Sequence, residues 1–248
     1  MPVTLLEVGA DDALWIAIEG GGLWRLGPDR RQWRHYHRAA PAPRTLPGDE
    51  VFALHEQEGV LWVGLYAAGL ARIVEGHAES LPAYPTAPEW SPTLLLGSGE
   101  RLYAGTITAG LQQLAQIDGA PKTLAAGRVM HAGRLEADGL WIAPSRQDLL
   151  RIEGGIVRSQ PMPRVAGAPP ASFAIGQRSD GDWFATDRGL LHRESERWQW
   201  FAAGAQRGLP DGRIVDLLVD REENLWLAIE GQGLARIDPP GAPQTVWL

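Results

Sequence analysis

The residues best placed to do chemistry stand at one recurring position. Four residues after the aromatic of six similar phrases come Glu19, Tyr66, Ile107, Ser145, Asp187 and Glu230. The phrases hold their frame while this position varies, which is how a recognition ring on a rigid scaffold behaves. Arg146, Arg188 and Gln232 stand next to it, and Arg128, Arg164 and Arg213 stand where the corresponding segments begin. Carboxylates interleaved with guanidiniums suit a polar or anionic ligand, because charge-assisted and bidentate hydrogen bonds are the strong ones. Ordinary solvated loop ends are the alternative reading of the same residues.

Other chemistry is thin. His35 and His37 share a strand face by period two and could pair at a metal, but no carboxylate partner is evident and a surface pair is the simpler reading. "EGGG" and "GQG" imitate phosphate loops without the strand-to-helix context such loops need, so they read as turns. Cysteine is absent, which removes disulfides, thiolate metal sites and a cysteine nucleophile. No Ser/His/Asp spacing and no carboxylate pair announces a catalytic centre, and no cofactor or metal is expected. Trp90, within a Pro-rich link, could stack on a sugar or peptide or serve packing.

The elements that would position the ring are legible from repetition. "LWIAIEGGGLWRL" (14–26) returns almost unchanged as "LWLAIEGQGLARI" (225–237). With the aromatic as marker, the phrase recurs at Trp15, Trp62, Tyr103, Trp141, Trp183 and Trp226, at spacings of 47, 41, 38, 42 and 43. A Leu follows each marker at seven or eight residues, a Gly precedes that Leu at Gly22, Gly69, Gly110, Gly189 and Gly233, and an Arg stands ten residues after the marker at Arg25, Arg72, Arg151 and Arg236. Each unit is a set of four short apolar runs bounded by turn formers, and no stretch sustains a helical period. Four antiparallel strands per repeat make one propeller blade, with marker and Leu filling the space between neighbours. The expected fold is an all-β, six-bladed propeller, one domain over 1–248, with blades near 1–38, 48–86, 91–125, 128–162, 171–204 and 213–248.

Blade topology sends the 1–2 and 3–4 turns to one face and the 2–3 loops and blade links to the other. Twenty of the thirty acidic residues fall in or beside the first set of turns, Glu79 of the second repeat among them. Solubility and turn chemistry explain them. The long Pro-rich links "AAPAPRTLPGDE", "LPAYPTAPEWSP" and "PMPRVAGAPP" emerge on the other face, the expected binding side.

Composition sets the outer bounds. Hydrophobic residues at 44% and charged residues at 21% are ordinary for a globular protein. A net charge of −7 argues against a general nucleic-acid binder. No apolar run approaches the roughly 18 residues of a membrane span, so no membrane insertion of this chain is expected. "MPVTLLEV" shows no export signal.

The stretch "LPDGRIVDLLVDREENLWLAIEGQGLARID" resembles the two-component regulator propeller repeat, and "WRHYHRAAPAPRTLPGDEVFAL" is similar to the linker between such repeats. The resemblance runs along the whole chain and is weakest in the third and fourth repeats. It implies a propeller that senses a ligand outside the cytoplasmic membrane and hands the signal to an output protein or domain, a histidine kinase or diguanylate cyclase. As part of such a receptor the chain would be periplasmic; complete as written, it would be cytoplasmic. The expected ligand is a small polar or anionic molecule, a sugar or a peptide, held by Glu19, Tyr66, Ser145, Arg146, Asp187, Arg188, Arg213, Glu230 and Gln232. A protein-interaction scaffold is the alternative, and a propeller lyase or glycan hydrolase a third reading.

Overall fold

The apolar runs become strands because turn formers fold each one back on the last. The computed structural model describes residues 1–115, 119–127, 129–136, 139–204, 209–239 and 246–247, the last two for backbone alone. The first blade is β1 (Val3–Val8), β2 (Leu14–Ile18), β3 (Gly22–Leu26) and β4 (Trp33–Tyr36). The second is β5 (Val51–Gln57), β6 (Val60–Leu65), β7 (Gly69–Val74) and β8 (His77–Ser80), and the third β9 (Pro92–Ser98), β10 (Arg101–Thr106), β11 (Leu111–Gln113) and β12 (Lys122–Ala125). The fourth is β13 (Met130–Leu135), β14 (Gly139–Pro144), β15 (Leu149–Glu153) and β16 (Ile156–Gln160). The fifth is β17 (Ser172–Arg178), β18 (Gly181–Thr186), β19 (Gly189–Glu194) and β20 (Arg197–Ala202), and the sixth β21 (Ile214–Val219), β22 (Leu225–Ile229), β23 (Gly233–Ile237) and β24 (Val246–Trp247).

Within every blade the strands lie in chain order as an antiparallel meander, which makes the fold a β-propeller of six four-stranded blades. The helical turn among the described residues is Pro88–Trp90, and none of their helices is long and apolar enough to cross a membrane. The chain divides into two compact units, Met1–Met130 and His131–Leu248, with the boundary at the head of β13.

Each unit builds its core the same way. In the first, Trp15, Ala17, Leu23 and Tyr36 of one blade pack against Leu61, Val63, Ala71 and Ile73 of the next. Trp62 and Leu70 of that second blade then meet Leu102, Ala104 and Leu114 of the third. In the second unit Trp141, Ala143 and Leu149 meet Phe184 and Leu191, and Trp183, Ala185 and Leu190 meet Leu217, Leu227 and Ala235. At each of these four junctions the marker face of one blade packs on the opposite face of its successor. A fully buried Trp takes roughly 150–250 Å² out of water, about 4–6 kcal/mol at the usual area coefficient, which accounts for its place in the repeat. Trp226 is the less buried marker, being only half-buried.

The small residue two after each marker has a steric cause. At Gly64 a Cβ would come within 2.7 Å of the Cβ of Pro92, where the first strand of the third blade passes. The Gly before the repeat Leu has a conformational one. Gly22 has φ +71, and a Cβ there would run into the carbonyl of Tyr36 on the neighbouring strand.

One local expectation needs correction, and one choice between two readings is settled. Glu79 lies in β8 rather than in a turn, where its carboxylate accepts from Arg72 Nε at 2.8 Å. Trp90 is buried, its ring 5.5 Å from that of Tyr84, so it serves packing.

Candidate functional site

The 2–3 loops of the second unit bring several of the expected residues together. Arg146 sits in the turn after β14 with φ +55, a left-handed conformation that costs a non-Gly residue roughly 1–2 kcal/mol. Its guanidinium reaches Asp187, in the equivalent loop of the next blade, at 2.6 Å. Asp187 is held from the other side as well: its Oδ1 accepts from Ala171 N at 3.0 Å, and its own N–H donates to Ala171 O at 3.0 Å. Arg188 is exposed, anchored by its backbone N–H to the Thr186 hydroxyl at 3.2 Å.

One blade further, Arg213 Nε lies 3.3 Å from Glu230, and Glu230 N–H donates to Arg213 O at 2.9 Å. The Arg213 guanidinium also lies over the ring of Phe173 at 5.6 Å, and Phe173 in turn leans on His131 with ring centres 6.0 Å apart. Arg213 and Glu230 are both about half exposed, with side-chain values of 48% and 61%. Such a pair is worth roughly 0–1 kcal/mol, so a ligand carboxylate or hydroxyl can exchange with either partner at little cost. Gln232 is exposed in the same loop, and Ser145 is half-buried next to Arg146.

Other expected residues have partners of their own. Arg164 reaches only Asp148, at 3.3 Å. Glu19 and Tyr66 belong to the first unit; Glu19 is exposed, and Tyr66 packs its ring 5.2 Å from Phe52. Ile107 is fixed by its backbone to Ser91 O at 3.2 Å. Arg128 lies outside the described residues.

The structure adds a class of residue that sequence reading missed. The 1–2 pairing skips one residue near the head of the first strand in five blades, leaving Thr4, Phe52, Thr93, Phe173 and Val215 opposite nothing. These are β-bulges, which re-aim a side chain and gather near functional sites. Phe52 and Phe173 are the aromatic surfaces that accompany Tyr66 and Arg213. The hint in the sequence was an aromatic second in each first run, "VFAL" and "SFAI".

At the opposite strand ends the turn acids are engaged in structure. Four of the five marker Trp face the Arg ten residues later as a direct cross-strand partner: Trp15 with Arg25, Trp62 with Arg72, Trp141 with Arg151, Trp226 with Arg236. Turn carboxylates then accept the indole N–H, Glu136 from Trp141 at 3.2 Å, Asp180 from Trp183 at 2.9 Å and Asp220 from Trp226 at 2.7 Å. Burial pushes Glu136 up, yet the bonds from Arg151 and Arg134 outweigh it and hold the carboxyl below its ordinary range. At Asp180 burial likewise pushes up and is outweighed by Arg178 and Trp183, while Asn224 and Trp226 hold Asp220 low. Among the described residues no cluster of three metal-ligating side chains is present, and His35 and His37 stack on one another at 4.3 Å.

Solved structures share this architecture. The extracellular domain of BT3049, named as a hybrid two-component system of Bacteroides thetaiotaomicron, superposes with a TM-score of 0.79 at 18% identity, over 96% of this chain and 34% of that one. The extracellular domain of BT4673 from the same organism, also named as a hybrid two-component system, gives 0.66 at 13% identity, over 99% of this chain and 45% of that one. The WD40 propeller of Doa1 gives 0.68 at 9% identity, over 98% and 80%. The likeness is one of fold. The chain spans about a third to under half the length of the two extracellular domains. No protein-family model matches it, and no curated protein sequence does.

Proposed function

We propose that this chain is a non-enzymatic recognition propeller that senses a small polar or anionic ligand, a sugar or a peptide, on the face of the 2–3 loops. The observation that carries the reading is the run Arg146–Asp187, Arg188, Phe173, Arg213–Glu230 in the second unit. It offers fixed acceptors, exchangeable guanidiniums and an aromatic surface within consecutive blades, on loops held by rigid strands. The two extracellular domains it resembles are named as parts of two-component systems, which favours a sensor that reports to a signalling output protein or domain. The Doa1 propeller favours a second reading, a protein-interaction scaffold.

The test is a thermal-shift screen of neutral and acidic sugars and short peptides, followed by calorimetry of the best ligand. Replacing Arg188 and Glu230 together by Ala is expected to weaken binding about tenfold or more, since each removes a charge-assisted contact. The melting temperature should move by only a few degrees, because exposed loop residues add little stability. Equal affinity of variant and wild type would remove this face from consideration.

A further inference from the structure

The repeat builds a second kind of cavity, away from the 2–3 loops. Two blades carry arginine on both rungs beyond the marker: Trp15 pairs with Arg25 and Arg25 with Arg34, while Trp141 pairs with Arg151 and Arg151 with Arg158. In the second blade the corresponding outer rung is Glu79, which neutralises Arg72. Where the outer rung is Arg, a cleft opens toward the next blade, of about 260 Å³ at Trp15 and about 500 Å³ at Trp141.

The two clefts differ in one cross-strand pair. The first is lined there by Leu61 opposite Ile73. The second has Asp182 opposite Arg193. Arg193 arrives there because the 2–3 loop of the fifth blade is one residue shorter, so that His192 takes the place opposite Trp183 and Arg193 turns to the other face. The Arg193 side chain is only 10% exposed, yet Nη1 and Nη2 reach carboxylates, of Asp182 and Glu196, only at 3.8 Å. Its Nε alone makes a close hydrogen bond, to Ser195 O at 2.9 Å. Arg193 and Arg151 also lie on the same indole, at 4.6 and 4.8 Å from the Trp141 ring centre. The neighbouring acids are engaged elsewhere: Glu136 and Asp182 are each held by Arg134 at 2.7 Å, and Glu153 by Arg151 at 2.8 Å. Arg158 stands at the rim, 71% exposed and 3.8 Å from Glu153.

A buried guanidinium with two loosely held terminal nitrogens, beside a second guanidinium and below an exposed third, matches the bidentate geometry of a carboxylate. We propose that the cleft between the fourth and fifth blades binds a small carboxylate-bearing molecule, with Arg193 as the buried anchor and Arg158 closing over it from the rim. The site is separate from the 2–3 loops and does not depend on their reading. A sugar acid and a peptide C-terminus carry the same group, and the cavity volume admits either.

The experiment uses the full chain and saturation-transfer NMR with calorimetric titration. The probes are D-glucuronate, D-glucose as its neutral counterpart, and N-acetylglycylglycine. At least one acid should bind while D-glucose does not, and which acid does tells sugar from peptide. Arg158→Ala should weaken that binding about tenfold without changing the melting temperature, because the side chain is exposed. Arg193→Lys, which keeps the charge and loses the fork, should weaken it as well, while Arg221→Ala, at an exposed position in a turn of the sixth blade, should leave it unchanged. The proposal is overturned if neither acid binds, if D-glucose binds as well as D-glucuronate, or if Arg158→Ala binds like wild type.

Discussion

Trp141 and Arg151 are direct cross-strand partners, and the guanidinium carbon lies 4.8 Å from the indole centre while Glu136 takes both the indole N–H and a guanidinium hydrogen. Ring, cation and carboxylate form a closed clamp at the edge of the interblade core. The same three parts, with Asp11 as the acid that Arg25 reaches, recur at Trp15 in the first unit. The marker thus serves packing through its face and polar satisfaction through its N–H.

Truncating a marker should cost what its burial predicts. Trp15→Ala is expected to lose about 3–5 kcal/mol in denaturant unfolding, as large-to-small core changes do. Trp226→Ala should lose less, because that Trp is only half-buried. Equal losses would mean that both rings are equally enclosed.

Acid should loosen the clamp. The Glu136 carboxyl is held below its ordinary range by Arg151 and Arg134 against the pull of burial. Its contribution is therefore present above the unfolded-state value and lost as pH falls through the lowered folded one. Glu136→Gln should lower the melting temperature at neutral pH, and the gap from wild type should close on acidification. A gap that widens in acid would reverse the assignment.

Glu7 should behave in the opposite sense. Burial pushes its carboxyl up, the Glu56 carboxylate adds to that, and the hydrogen bond from Glu56 N at 3.1 Å only partly offsets them. A raised folded value means that the contribution is full below the unfolded value and lost as pH rises through the folded one. Glu7→Gln keeps an acceptor for Glu56 N and carries no charge, so it should raise the melting temperature at neutral pH. The advantage should vanish in acid, as melting curves across pH will show.

Two glycines of the same turn should separate conformational from steric cost. Gly20 has φ +60 with open space around it, whereas Gly22 has φ +71 and faces the Tyr36 carbonyl. Gly20→Ala should cost about 1–2 kcal/mol, the left-handed penalty alone. Gly22→Ala should cost distinctly more in the same unfolding assay, because two strands must also move apart.

The fold was legible because the period of the chain is the period of its interblade core. Trp15, Leu23 and their counterparts recur wherever one blade must seat on the next, so their spacing counts blades directly. The cause of the small residue at Gly64, the passing Pro92, needed coordinates. The candidate site was legible only in part. Arg146 meets Asp187 because equivalent loops of neighbouring blades lie side by side, and Arg213 meets Glu230 because the head of β21 pairs with the tail of β22. Phe173 was missed because a bulge inserts a residue without changing the composition of its strand. The cleft at Trp141 was missed because the one-residue change in loop length, seen only as the shorter spacing from Trp183 to Leu190, turns Arg193 to a new face.

The extra residue at the head of a first strand answers to no partner across the ladder. Phe52, Phe173 and Val215 can therefore be exchanged without disturbing the strand pairing behind them, whereas the Thr4 and Thr93 hydroxyls donate to carbonyls of the neighbouring strand. The scaffold thus separates what these positions present from what keeps it folded, and the surface they offer can be rewritten one blade at a time.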